Sequence, residues 1–202
     1  MKRRNFLAAS SLTVISLSTF GHVTENEKGQ FKGSCVTTND ILGPFYRPQA
    51  PIRTDLTYEG IEGAVITLTG KVFQEDCVSP LKNALVEVWH CSVDGEYDND
   101  TPEFRHRARQ YTDETGVYSF KTILPGKYLN GRLYRPAHIH YRVTEKYSKE
   151  LVSQLYFQGD PHIEEDPWAS TARAERRICS IAPADLNGGL QVSFDIYMAD
   201  QL

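Results

Sequence analysis

Beyond residue 30, apolar and polar positions alternate with a period of two, and the alternating runs end at glycine and proline. In GAVITLTGKVF (63–73), Ile66, Leu68 and Val72 oppose Val65, Thr67, Thr69 and Lys71. ALVEVWHC (84–91) follows a Ser-Pro turn and carries the β-branched and aromatic residues that suit a pleated, half-buried surface. TDETGVYSFKTILPGKY (112–128) reads as a polar turn ending at Gly116, a strand, and a second turn at Pro125-Gly126. RPAHIHYRV (135–143), ELVSQLYF (150–157) and GLQVSFDIYM (189–198) complete the predicted strands. The one helical candidate of any length is DPWASTARAERRI (166–178), with Pro167 suited to a first turn. Closely spaced strands with Gly/Pro turns predict an all-β fold, an antiparallel β-sandwich with short helical segments in loops. With no internal repeat, low-complexity linker or second pattern, residues 30–202 read as one domain.

The first residues break this pattern. MKRRNFLAASSLTVISLSTFG has a basic start and an apolar, small-residue run too short to span a bilayer comfortably, so residues 1–22 are expected to be a removable export signal. Arg3-Arg4 followed by Asn5-Phe6-Leu7 resembles the twin-arginine type, and an N-terminal anchor or amphipathic helix is the alternative. The expected location is therefore periplasmic or secreted, with no membrane span in the mature chain. Losing Lys2, Arg3 and Arg4, with no acidic residue before Glu25, takes the formal charge from −4 to −7. Such an acidic chain is a poor match for nucleic acid or an anionic membrane surface. Cys35, Cys77, Cys91 and Cys179 are an even number in a chain bound for an oxidising compartment, which allows two disulfides or buried free thiols. Cys77 and Cys91 stand at opposite ends of the 84–91 strand and its turn, roughly 20 Å or more apart at strand rise, so they are not expected to pair.

The chemistry concentrates in RPAHIHYRV. Alternation puts Ala137, Ile139, Tyr141 and Val143 on a core face and His138, His140 and Arg142 on the other. Two imidazoles on one face lie about 6 to 7 Å apart along a strand, close enough to share a metal ion, although a polar strand edge has the same pattern. Further ligands would have to be found elsewhere. No CxxC pair exists, but tyrosines number 11, and Tyr97 in CSVDGEYDND and Tyr128 in LPGKYLNGR sit where strands meet turns. A phenol with a pKa near 10 becomes a ligand only for a hard, highly charged cation such as Fe(III). Either tyrosine alone is ordinarily a packed or surface aromatic.

GPFYRP (43–48), GKVFQEDCVSPLKNALVEVWHCSVDGEY (70–97), YTDETGVYSFKTILPGKY (111–128), RPAHIHYRV and SQLYFQGDP (153–161) occur in one order with compatible gaps, and this succession resembles the intradiol ring-cleavage dioxygenases. The resemblance implies a non-haem Fe(III) held by Tyr97, Tyr128, His138 and His140 on a β-sandwich. It implies an active-site Arg135, a pocket Gln154, and Tyr128 as the phenolate that yields to substrate. The implied reaction opens a catechol-type diol between its two hydroxylated carbons with O2, giving a cis,cis-muconate-type product. Self-association as a homo-oligomer is compatible with this reading. Asn130 stands where protocatechuate enzymes would offer a tryptophan, and GPFY arrives without the helical N-terminal extension of catechol 1,2-dioxygenases. Tyr134 competes with Tyr128 for the second phenolate, Tyr46 is either pocket-lining or packed, and His90 and His106 are structural or support the ligands.

Two rivals share parts of the pattern. Glu145 falls at a cupin-like distance after His140, but its parity points away from both histidines and no second cupin motif follows. A transthyretin-like exported binding module would share PLKNALVEVW and TDETGVYSFKTILPGKY, yet has no need of Tyr97, His138 and His140 together.

Overall fold

Alternation becomes strand wherever it is cleanest. The computed structural model describes residues 23–25, 31–33, 35–184 and 189–201; the export-signal expectation for 1–22 lies outside the described residues. In chain order the strands are β1 (Val23–Glu25), β2 (Phe31–Gly33), β3 (Val65–Phe73), β4 (Leu85–Trp89), β5 (Arg107–Tyr111), β6 (Val117–Ile123) and β7 (Tyr128–Asn130). There follow β8 (Leu133–Arg135), β9 (His138–Thr144), β10 (Leu151–Phe157), β11 (Ile178–Cys179), β12 (Ile181–Pro183), β13 (Leu190–Ser193) and β14 (Ile196–Tyr197).

One sheet runs β11-β10-β9-β4-β5, and the other has β3 at its centre, with β6 on one side and β13 and β14 on the other. The long pairings are antiparallel, as expected, and short parallel pairings join β11 to β10 and both β13 and β14 to β3. Between the sheets lie Ile66, Leu68 and Val72 of β3, Val86 and Val88 of β4, Tyr118 and Phe120 of β6, and Ile139, Tyr141 and Val143 of β9. Burying a side chain of this size is worth roughly 1.5–3 kcal/mol, so the parity of β3 and β9 is fixed by the core. A slip of one residue would turn every one of those side chains outward.

The predicted 166–178 helix is mostly turn. Only Ala172–Arg177 forms a 3-10 helix, because the Asp166 carboxylate accepts the amides of Trp168 and Ala169 and shapes a side-chain-held turn there instead. The 189–198 run is broken into two strands at Phe194-Asp195, where Asp195 accepts the Lys71 amide. One disulfide forms, Cys35–Cys77, while Cys91 and Cys179 are free thiols; the expected absence of a Cys77–Cys91 link holds. Among the described residues no helix is long and apolar enough to cross a membrane.

Candidate metal centre and diol site

β9 lies between β4 and β10, so its second face continues across the sheet. His140 stands opposite Trp89 on one side and Gln154 on the other, and His138 stands opposite Tyr156. That face is roofed by an irregular strap, residues 35–62. Within it Tyr46 packs edge-on against Trp89 at 5.0 Å, Asp40 reaches Tyr156, and the Ile41 carbonyl accepts Gln154 Nε2 at 2.9 Å. Both histidines are 1% exposed. Trp89 stacks on the His140 ring at 4.7 Å and 9°, which fixes the plane of that imidazole.

The two loops carrying Tyr97 and Tyr128 are brought together by glycine. A Cβ on Gly126 would sit 2.0 Å from the Val93 carbonyl oxygen, and one on Gly95 2.5 Å from that of Lys127, so only glycine lets these backbones touch. The result is a single cluster. The Tyr97 hydroxyl lies 3.4 Å from His138 Nε2 and 3.2 Å from His140 Nε2, while Phe45 stacks on the Tyr97 ring at 4.2 Å. The Tyr128 ring lies 5.7 Å from both the Tyr97 and His138 rings.

Burial sets the charge state of these groups. It lowers His138 to about 4, assisted by the nearby Arg135 cation, and lowers His140 well below the ordinary imidazole value, assisted by His138. It pushes the Tyr97 phenol well above 10, and the Cys91 thiol up to about 12. At neutral pH the cluster therefore offers two neutral imidazoles and a phenol. His138 Nδ1 donates to the Pro136 carbonyl at 2.6 Å, which leaves the lone pair on Nε2. The Tyr97 oxygen lies within hydrogen-bond reach of both Nε2 atoms, and His140 Nδ1 is buried without a partner.

A second network adjoins the cluster. Arg135, 2% exposed, donates from Nε to Asp166 Oδ2 at 2.7 Å, and from Nη2 to Gln154 Oε1 at 3.0 Å and the Tyr156 hydroxyl at 3.1 Å. Its guanidinium lies 4.4 Å over the Trp168 ring, and its Nη1 is buried without a partner. Tyr156 donates to Asp40, which pairs with the buried Arg177. Both ends of the Gln154 amide are thus engaged within the protein.

The sequence-predicted residues Tyr97, Tyr128, His138, His140, Arg135 and Gln154 all meet at this one place. Asp166, Tyr156, Asp40 and Arg177 were not singled out by sequence. Tyr134 is 44% exposed on β8, beside Lys127 and His162, away from the cluster. Tyr46 is held by Glu87 and Arg142. His90 bonds the Cys91 carbonyl and Thr122 and packs beside His106, a structural arrangement. The cupin-type candidate Glu145 accepts the Tyr147 amide in the β9–β10 turn, away from both histidines.

A family model described as Dioxygenase matches residues 41–200. The chain belongs to the intradiol dioxygenase family. It is 35% identical over 153 residues to catechol 1,2-dioxygenase 2 of Acinetobacter lwoffii, covering 64% of this chain and 54% of that protein. It is equally identical, over 147 residues, to the protocatechuate 3,4-dioxygenase beta chain of Burkholderia cepacia, covering 63% of this chain and 62% of that one. The chain thus spans a little over half the length of these curated relatives. Among solved structures it superposes on the dioxygenase domain of a dioxygenase carbohydrate-binding protein fusion from Streptomyces sp. SirexAA-E with TM-score 0.71 at 28% identity, covering 82% of this chain and 99% of that chain.

Members of this family typically use Fe(III), and the donor set fits that ion. Among the described residues no cluster of three or more His, Cys, Asp or Glu side chains could hold a metal, and at this cluster a cation would meet phenol oxygen as well as imidazole. That donor set favours hard Fe(III) over zinc. A cation at the point where the Tyr97 oxygen and both Nε2 atoms converge would engage all three donors at once.

Proposed function

We propose that this family member cleaves a catechol-type diol between its hydroxylated carbons with O2, using a non-haem Fe(III) held by Tyr97, Tyr128, His138 and His140, to give a cis,cis-muconate-type product. The observation that carries the reading is the convergence of the Tyr97 oxygen and both Nε2 atoms within 3.2–3.4 Å. Bound Fe(III) would supply a hard Lewis acid that draws electron density from the diol and opens its ring to O2. The residues of the chain do the rest. Tyr128, partly exposed beside the buried histidines, takes a diol proton at its phenolic oxygen. Arg135 stabilises negative charge developing on the ring through its unpaired Nη1, a contribution of a few kcal/mol for a preorganised donor. Gln154, Tyr156 and Asp166 orient that guanidinium, and Trp89 and the Pro136 carbonyl fix the two imidazoles. The roof of strap residues keeps bulk water from the face on which the ring reacts.

The chain is exported through the signal at 1–22, by the twin-arginine route. The Cys35–Cys77 disulfide supports an oxidising destination, and retention of an Arg3→Lys/Arg4→Lys variant in the cytoplasm tests the route; unchanged export rejects it.

Iron-loaded protein should be reddish from tyrosinate charge transfer, consume one O2 per catechol, and place label from 18O2 in a muconate. His138→Ala and His140→Ala should lose iron, and Tyr97→Phe should weaken or shift the visible band. A colourless zinc protein, or a yellow semialdehyde product from cleavage beside the diol, overturns the assignment.

A further inference from the structure

β5, the strand whose sequence RARQY shows no apolar alternation, carries a cation in an unusual place. Arg107 is 1% exposed, and its three hydrogen-bond acceptors are neutral. Nη1 donates to the Phe45 carbonyl at 2.6 Å, Nε to the Asp98 carbonyl at 2.8 Å, and Nη2 to Asn99 Oδ1 at 3.4 Å. The nearby Asp98 carboxylate is occupied by Arg47, Thr101 and the amides of Thr101 and Arg105. A buried guanidinium without its own carboxylate is costly, and burial lowers Arg107 to about 10.

What the cation holds explains its place. Phe45 is the residue whose ring stacks on Tyr97, and Asp98 is the residue that follows Tyr97 in the chain. One planar fork therefore ties together the strap on one side of the Tyr97 ring and the loop that carries it on the other. The fork also has a fixed relation to the histidines. Arg107 stands opposite Trp89 across β5 and β4, and Trp89 stands opposite His140, on whose ring it stacks.

We propose that Arg107 is a positioning residue that holds the Tyr97 oxygen against His138 and His140 by clamping the Phe45 and Asp98 carbonyls. This rests on the reading of Tyr97 as an iron ligand. Lysine cannot replace the fork, since a single ammonium on a flexible stem does not present two fixed donors to two carbonyls.

The test compares Arg107→Lys and Arg107→Met with Arg109→Lys, a control on the same strand whose side chain bonds the strap at Ala50, away from Tyr97. In the full iron-loaded chain, both Arg107 variants should keep iron but lose half or more of the tyrosinate band, in the direction of Tyr97→Phe, as order-of-magnitude effects of displacing a ligand. Turnover should fall by roughly 10²-fold with KM little changed, as for a displacement of about 1 Å near the reacting atoms. The Arg109→Lys band should equal that of wild type. Without metal, amides of residues 97–105 should exchange with deuterium about tenfold faster in the Arg107 variants, the effect of losing a hydrogen bond to a charged group. If Arg107→Met does not fold, Arg107→Lys decides. A folded variant with unchanged band and unchanged exchange rejects the clamp. A colourless wild type instead rejects the ligand reading, and exchange alone then decides whether Arg107 holds this loop.

Discussion

Removing the Cys35–Cys77 disulfide should cost this protein a large part of its stability. The bond joins positions 42 residues apart, and in the chain-entropy picture closing a loop of that length in the unfolded state contributes about 4 kcal/mol. Cys35 begins the strap that roofs the imidazole face, and Cys77 lies in the turn after β3, so the bond fastens the strap to the second sheet. In a Cys35→Ala/Cys77→Ala variant, urea denaturation should show a loss of about 4 kcal/mol, and the melting temperature should fall by roughly 8–16 °C for a domain of this size. Reductant should produce a loss of the same order in the wild type and none in the variant. Cys179→Ser, at a free thiol, should be insensitive to reductant in its difference from wild type. A loss below about 1 kcal/mol, with no response to reductant, would refute the reasoning, because the strap would then be held as well by its hydrogen bonds alone.

Acid sensitivity of the metal-free protein is a second expectation. Burial lowers His90 to about 3 and His106 and His138 to about 4, so between pH 4 and 6.5 the unfolded chain binds protons that the folded chain does not. Stability should therefore rise with pH through that window, by up to about 1.4 kcal/mol per pH unit for each imidazole, and level off above about 7; denaturation curves independent of pH there would contradict it. Asp166→Asn leaves Arg135 buried without its carboxylate and should destabilise the fold by about 3 kcal/mol or more. Thermal unfolding indistinguishable from wild type would show that the pair does not fix Arg135.

Sequence made one class of element legible and hid another. β3 and β9 could be read because their inward positions are apolar and most of their outward ones polar, and β4, β6 and β10 because they are rich in β-branched and aromatic residues between turn signals. β5 could not, since the side chain it sends beneath the strap is Arg107, which is satisfied by oxygens of the Asp98–Asn99 loop and by the distant Phe45 carbonyl. The β7–β8 hairpin is too short for a period to show, with Leu129 and Leu133 about half exposed. In the site, spacing within one strand exposed His138 and His140, and Tyr97, Tyr128, Arg135 and Gln154 came from the motif around them. Asp166, Tyr156, Asp40 and Arg177 escaped because each acts on a partner outside any local pattern. The nearest available signal was Asp166 before Pro167, an acidic residue placed to shape a turn rather than to begin a long helix.

The strap also dictates an order of assembly. Its anchors lie far downstream in the chain: Arg107 is 62 residues beyond Phe45, Gln154 113 beyond Ile41, Ser153 115 beyond Thr38, and Arg177 137 beyond Asp40. Each of these contacts needs a residue of β5, of β10 or of the 3-10 helix, all made later in the chain, and the loops they close are long. A stretch made early in the domain therefore depends for its docking on elements made late. Until it does, the row of Trp89, His140 and Gln154 forms an open-faced trough, and a cation from solution can reach the imidazoles directly.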